Sequence, residues 1–362
     1  MTENIDTRLE VNRASRGRRA AELAWTFLAP FVGLLVVVLI FQIYHWVYKP
    51  QQPFLTAFQV QLIAKQTTIV GMGALGMTVI IISGGIDLSA GSLLALTSVV
   101  LAVLLREDVA GWLSRRTGLS PEASLHVWAA AAFLLVLMAG AGAGALNGLA
   151  ITGLRLVPFI VTLGTMLVFR GAAEWLADQG KVVLTDSQVP VWLSTLLDPP
   201  AADWQLVCTG VWIVIVLGAL LAGVLRFSVF GRYVFALGSN ESAARLCGIN
   251  VPVVKLSVYA LGGLFMALAG VFQFNNMNKQ GDPTSGIARE LDIIAAVVIG
   301  GGSLSGGRGS VLGSIIGALT MTTLRNGCRY AEVSNSMQQM VIGAIIIAAV
   351  AIDQIAHRGE KS

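Results

Sequence analysis

The sequence predicts an all-α polytopic membrane protein of about ten transmembrane helices in two related halves. Three observations predict it. Of 362 residues, 55% are hydrophobic and 12% charged, with a mean hydropathy of +0.75, whereas a soluble domain carries roughly 25% charged residues. The apolar residues gather into runs long enough to cross a bilayer, about 20 residues per helical crossing. A glycine-rich segment also recurs once in each half of the chain. Lipid removes the demand for a polar surface and requires only that backbone groups be satisfied internally, as they are in helices. The 40 glycines follow no G-X-Y period, which excludes collagen, and the net charge of +4 is scattered over the ends of apolar segments, which excludes a nucleic-acid patch. Cys208, Cys247 and Cys328 lie far apart and form neither a disulfide framework nor a zinc site.

In chain order, the apolar runs lie at approximately 23–48, 58–82, 88–105, 125–150, 156–177, 205–225, 254–273, 290–302, 309–324 and 337–354, together a transmembrane domain over 23–354. The first follows a tail, 1–22, that carries Arg8, Arg13, Arg16, Arg18 and Arg19. It is too long for a signal peptide and no small-residue cleavage site follows Tyr48, so it reads as an uncleaved span with the basic tail in the cytoplasm. Alternation then puts the segment 179–204 outside, with Asp186, Asp198 and Asp203 against Lys181. It puts the loop 226–253 inside, with Arg226, Arg232 and Arg245, and Lys255 at the mouth of the next span. Both agree with the excess of basic residues found on cytoplasmic loops. Ten crossings return the tail 355–362, with Arg358 and Lys361, to the cytoplasm. The loop 106–124 falls outside despite Arg106, Arg115 and Arg116. The third, eighth and ninth runs are short, as broken helices lining a path are, and as helices ending in a buried loop are.

The segment from Ile82 to Ser92 recurs loosely from Ile299 to Ser310, each copy between two apolar runs. Paired halves of this kind enclose a central path in transporters. Gly71, Gly73 and Gly76 fit the dinucleotide fingerprint GxGxxG, but they sit inside an apolar span with no βαβ unit, so they read as helix packing. Gly140, Gly144 and Gly148, and Gly309, Gly313 and Gly317, are spaced by four and make smooth ridges for a neighbouring helix of the same chain. No GxxxxGKS or GxxxxGKT phosphate loop, HExxH or GxSxG occurs, and His45, His126 and His357 all lie near span ends. The chain therefore reads as no enzyme, with neither a metal site nor a cofactor of its own, and any ATP-driven function borrows its motor from another chain. Asp87 is the notable intramembrane carboxylate, functional or a cap for the helix that follows. Arg170 and Glu174, four apart, read as a local ion pair, and Lys65 and Asp292 as snorkelling or partnered.

The stretch from Gly231 to Pro252 is the most specific. It predicts a short helix capped by Ser239 or Asn240, with Glu241 in its first turn, Ala243 and Ala244 giving low relief, Arg245 beyond them, and Gly248 as the stop. Such a helix fits a groove on another protein and lacks the large apolar face that lipid binding requires.

These residues carry a resemblance. Gly84-Gly85-Ile86-Asp87-Leu88-Ser89, with Gly91 and Ser92, resembles the hallmark of the monosaccharide permeases of ATP-binding-cassette importers, the family of the ribose, xylose and galactose systems. Asn147-Gly148, then Pro158 through Gly164 and Thr165, then Arg170-Gly171, is similar to its central signature. Gly238-Ser-Asn240, Ala243-Ala244-Arg245 and Gly248-Ile249 resemble its coupling loop, and Gly300-Gly301, Ser303-Leu304, Gly306-Gly307 and Gly309 its late glycine motif. The resemblance covers nearly the whole chain. It implies a type II importer permease fold in a bacterial-type inner membrane, a second permease copy as homodimer or heterodimer, cytoplasmic ATPase subunits that hold ATP and Mg, and an extracytoplasmic solute-binding protein in which affinity chiefly resides. Asn240 to Gly248 would form the coupling helix, with Glu241 and Arg245 its leading polar contacts, and Gly91, Asn147, Thr162 and Thr165 would line the translocation pathway.

Two other classes compete with this reading. A standalone ion-coupled secondary transporter would need Asp87, but no ladder of facing acids accompanies it. A channel would show a ring of like charges or a filter motif, and neither is present.

Overall fold

The computed structural model describes residues 28–51, 53–199 and 207–359. The tail 1–22, the start of the first span, Asp203 and Lys361 lie outside the described residues.

Helix starts follow from side chains that accept hydrogen bonds from backbone amides otherwise unpaired in a first turn. Thr56 caps α2 (Ala57–Ile82) through the amide of Gln59, and Ser120 caps α5 (Pro121–Gly153) through that of Ala123. Proline, which has no amide hydrogen to lose, opens α5 and α6 (Pro158–Leu176). With α1 (Leu28–Tyr48), α8 (Thr209–Phe227) and α11 (Val251–Asn276), these make six helices long and apolar enough to cross a membrane among the described residues. α3 (Ala90–Arg106) and α12 (Arg289–Ile299) fall short of that length at 17 and 11 residues. At 1.5 Å rise per residue α12 covers about 16 Å, half a bilayer core, so the apolar run at 290–302 is a half-helix plus a turn. α13 (Val311–Tyr330) carries Arg325, Asn326 and Arg329 in its last two turns, and α14 (Asn335–Gly359) follows it.

α2 is the central helix, 83% of its apolar window being buried, against 17% for α1 and for α6. It packs against α11, α13, α12 and α8, and α11 packs in turn along α5 and α3. Both glycine ridges are spent within the chain. A Cβ at Gly144 would collide with the carbonyl of Tyr259, one at Gly148 would come within 2.8 Å of the Leu256 backbone, and ones at Gly313 and Gly317 would strike the carbonyls of Gly300 and Ala296. Gly73 and Gly76 likewise admit Ile293 and the Gly262 carbonyl, so the GxGxxG match is a packing surface.

The two copies of the repeat end their first helices identically. After α2, Gly84 turns at φ +81°, its amide donating to the Ile81 carbonyl and that of Gly85 to Ile80. After α12, Gly301 turns at φ +88°, with donation to Val298 and from Gly302 to Val297. This left-handed stop is one only glycine adopts without strain.

At the end of the bundle opposite these turns, β1 (Val182–Val183) pairs antiparallel with β2 (Gln280–Gly281), so the acidic segment after α6 is tied to the loop after α11. Lys181 with Asp282 at 2.8 Å and Lys279 with Asp186 at 2.6 Å clamp the same junction. Burial pushes the Asp282 carboxyl up, but Lys181 and Thr284 outweigh it and hold the group below its ordinary range. α7 (Val191–Ser194) lies in this segment, and α4 (Val109–Thr117), with no buried residue, occupies the loop 106–124.

Candidate functional site: the coupling segment and the glycine turns

Between α8 and α11 the chain makes two short helices, α9 (Val229–Ser239) and α10 (Glu241–Leu246). Of the two predicted caps, the one used is Asn240, whose Oδ1 accepts from the Ala243 amide at 2.9 Å; Ser239 is the last residue of α9. Gly248 at φ +81° stops the segment as expected, the Ile249 amide reaching back to the Ala244 carbonyl. Ala244 is 4% exposed and Leu246 90%. The outward face is therefore Ser242, Ala243, Arg245 and Leu246, and a leucine left almost wholly in solvent is the feature the sequence reading missed.

Glu241 is committed inward. Its Oε2 accepts from Lys255 Nζ at 2.8 Å and its Oε1 from Arg245 at 3.2 Å. The hydrogen bond from Lys255 holds its carboxyl below the usual carboxylate range against the opposing pull of burial, and Arg245 adds to the effect. Lys255 lies on α11, so this pair docks α10 on the membrane-spanning bundle. Glu241, Arg245, Lys255, Asn250 and Arg155 line a cleft of about 750 Å³ between α10 and the α5–α6 connection.

The hallmark segment Gly84–Ser92 is a buried polar knot. Asp87, fully buried, accepts at Oδ1 from the Ser89 amide at 2.8 Å and the Ser89 hydroxyl at 2.6 Å. It binds the turn that leads into α3 and does not cap that helix; Ser89 holds the cap position, and its side chain makes no cap bond. Asn147 on α5 donates to the Ser89 hydroxyl at 2.9 Å, and Thr162 on α6 donates to the Ile86 carbonyl at 3.3 Å. Asp87 Oδ2, Asn147 Oδ1 and the Tyr259 hydroxyl are buried without a hydrogen-bond partner. Asn147 and Thr162 thus hold the hallmark turn from two helices. Gly91 is buried where Gly286 and Glu290 approach it, while Thr165 is half-buried and Gly164, on the exposed face of α6, has nothing near its Cβ direction.

One sequence expectation fails and another is met. Arg170 and Glu174 make no ion pair among the described residues. Asp292 is partnered, by Arg325 of α13 at 2.6 and 2.9 Å, which ties α12 to α13 inside the bundle.

The glycine turns and the end of α9 meet. The Gly307 amide donates to the Ile82 carbonyl at 2.8 Å, bridging the two halves. A Cβ on Gly306 would lie 2.9 Å from Gly84 Cα and 2.7 Å from the Gly238 carbonyl. Gly306 and Gly307 adopt φ +85° and +74° to make that approach, and Gly309 leaves room for the Ile82 side chain.

Residues 60–350 match the family described as branched-chain amino acid transport system / permease component. The ribose import permease protein RbsC of Bacillus subtilis is 37% identical over 90% of this chain and 92% of its own length. The xylose transport system permease protein XylH of Escherichia coli K12 is 32% identical over 91% and 93%, and the probable ABC transporter permease protein YphD of the same strain 36% over 88% of each. No solved structure matches. With helices long and apolar enough to cross a membrane and matched relatives along nearly its whole length, the chain belongs to the family of multi-pass ABC importer permeases that includes the ribose and xylose import permeases.

Proposed function

We propose that this chain is the membrane-spanning subunit of an importer that passes a monosaccharide or sugar-like solute into the cytoplasm, driven by partner ATPase subunits. Relatives named as ribose and xylose permeases support the solute class. The observation that carries the drive is α10: a capped helix, docked on α11 by Glu241 and Lys255, that turns Ala243, Arg245 and Leu246 outward. A low-relief face with one projecting leucine suits a groove on a partner, and the partly exposed Glu241–Lys255 ion pair on its other side links it to the bundle. ATP and Mg belong to that partner. Binding that favours one tilt of the two halves shifts the population toward it, and hydrolysis releases it. In this reading the glycine turns, α10 and both termini face the cytoplasm, α3, α13, α14 and the half-helix α12 together with the loop before it complete ten crossings of the inner membrane, and an extracytoplasmic solute-binding protein and a second permease copy complete the assembly.

A standalone ion-coupled carrier has one observation in its favour, the fully buried Asp87 with an unpartnered oxygen. Isolation of tagged chain from its own membrane in mild detergent separates the two. The importer reading expects a nucleotide-binding partner, identified by mass spectrometry, that is lost in Glu241→Lys while the variant still inserts. Recovery of the chain without such a partner, under conditions that keep other such complexes whole, contradicts it.

A further inference from the structure

We infer that the last turn of α9, Gly238-Ser239, is a wedge seated between both glycine turns, so that movement of the coupling segment is delivered to the two halves of the chain at one point. The inference rests on the importer reading and adds a positioning residue, Gly238, to it.

Three segments far apart in sequence share this point. Ile82 ends α2 in the first half, Gly306-Gly307 lies before α13 in the second, and Gly238-Ser239 ends α9 between them. A Cβ on Gly238 would fall onto the Ile82 carbonyl and lie 2.5 Å from the Gly307 nitrogen, which are the acceptor and donor of the bond joining the halves. One on Gly307 would lie 2.6 Å from the Ser239 hydroxyl oxygen, and one on Gly84 would lie 3.8 Å from Gly238 Cα. Apart from the Ser239 hydroxyl, the contacts are between three backbones, with no side chain to rearrange. Packed backbone transmits displacement as a rigid body, because its alternative arrangements are discrete and not continuously deformable. Gly238 is not among the residues at positive φ, so alanine fits its backbone, and the collision with the Ile82 carbonyl and the Gly307 nitrogen is the effect of the substitution.

By contrast, α10 touches the bundle through side chains, Glu241 with Lys255 foremost, which bend at several rotatable bonds. The α9 wedge is the stiffer route. α10 then serves as the handle that the partner holds, and Gly238 as the contact through which both repeats move together.

The test is the complete complex, with its ATPase and solute-binding protein, in liposomes, reading solute imported per ATP hydrolysed. Gly238→Ala is compared with Gly223→Ala on α8, where a Cβ meets nothing within 4 Å. Gly238→Ala is expected to keep the ATPase bound and hydrolysing while the transport ratio falls about tenfold, and Gly223→Ala to match wild type. A wild-type ratio in Gly238→Ala overturns the wedge and leaves the importer reading intact; absence of ATP-dependent uptake in the wild type overturns both. If Gly238→Ala does not assemble, amide exchange on the wild-type complex decides. The Gly307 amide stays equally protected with and without ATP if the junction moves as one body. Exchange about tenfold faster in either state would show that the junction opens and that the inference is wrong.

Discussion

Asp87 places a carboxyl where no cation pairs with it among the described residues, and spends one oxygen on Ser89. Its work in the structure is to accept two hydrogen bonds, which an amide oxygen also does. Asp87→Asn is therefore expected to retain uptake within about twofold, whereas Asp87→Leu orphans two buried donors at about 1–3 kcal/mol each and lowers folded yield. A carrier that moved its ion through Asp87 would lose transport in the asparagine variant; uptake in vesicles reads the difference. Glu241 gives a second expectation. Its carboxyl is held below its ordinary value of 4.5 by Lys255, so its contribution to docking is complete above that value and is lost as pH falls through the lower folded one. A spin label on Cys247, exposed beside α10, should keep one mobility from pH 8 to pH 6 and loosen only in the acid range; loosening near pH 6.5 would point to another group. The Asn240 cap and the Gly248 stop are readable from local spacing because both are local bonds. The Lys255 partner of Glu241 is not, since it sits fourteen residues away and depends on how α10 folds back on α11.

At the scale of elements, the spacing of glycines names the packed face of α5, and the structure adds which neighbour fills it. Gly140, Gly144 and Gly148 face α11, while Gly142 faces open space. Gly144→Val is expected to cost at least the 1–3 kcal/mol typical of overpacking, read as a lower midpoint of thermal inactivation in detergent, and Gly142→Val to stay near wild type. Equal midpoints would mean that the α5–α11 contact is not as described. Hydropathy located the apolar runs but not where helices stop inside them. The run at 290–302 contains the end of α12 at Ile299, because Gly300 to Gly302 turn there. Arg170 and Glu174 failed as a pair because four-residue spacing puts them on one face without bringing the two side chains to ion-pair distance. α4 was hidden in a loop marked only by its charges. Its Asp108 cap and left-handed Gly118 are ordinary helix signals on a segment too short and polar to register as a crossing.

For the whole molecule, composition sufficed for the class and the motif order for the family, because membrane burial and a shared set of glycine turns constrain the entire chain. What composition could not supply was convergence. That Ile82, Gly238 and Gly307 meet requires α2, α9 and the stretch before α13 to be placed together, and no periodicity in one segment encodes it. The importer account makes that meeting point, with α10 beside it, the place where a partner's ATP cycle enters the membrane bundle. The measurement that tests this most directly is uptake of labelled ribose and xylose into liposomes, with the chain reconstituted alone and then with its ATPase and binding protein. The account predicts accumulation against a gradient only with the partners and ATP, abolished by Glu241→Lys; accumulation by the chain alone under a proton or sodium gradient would contradict it.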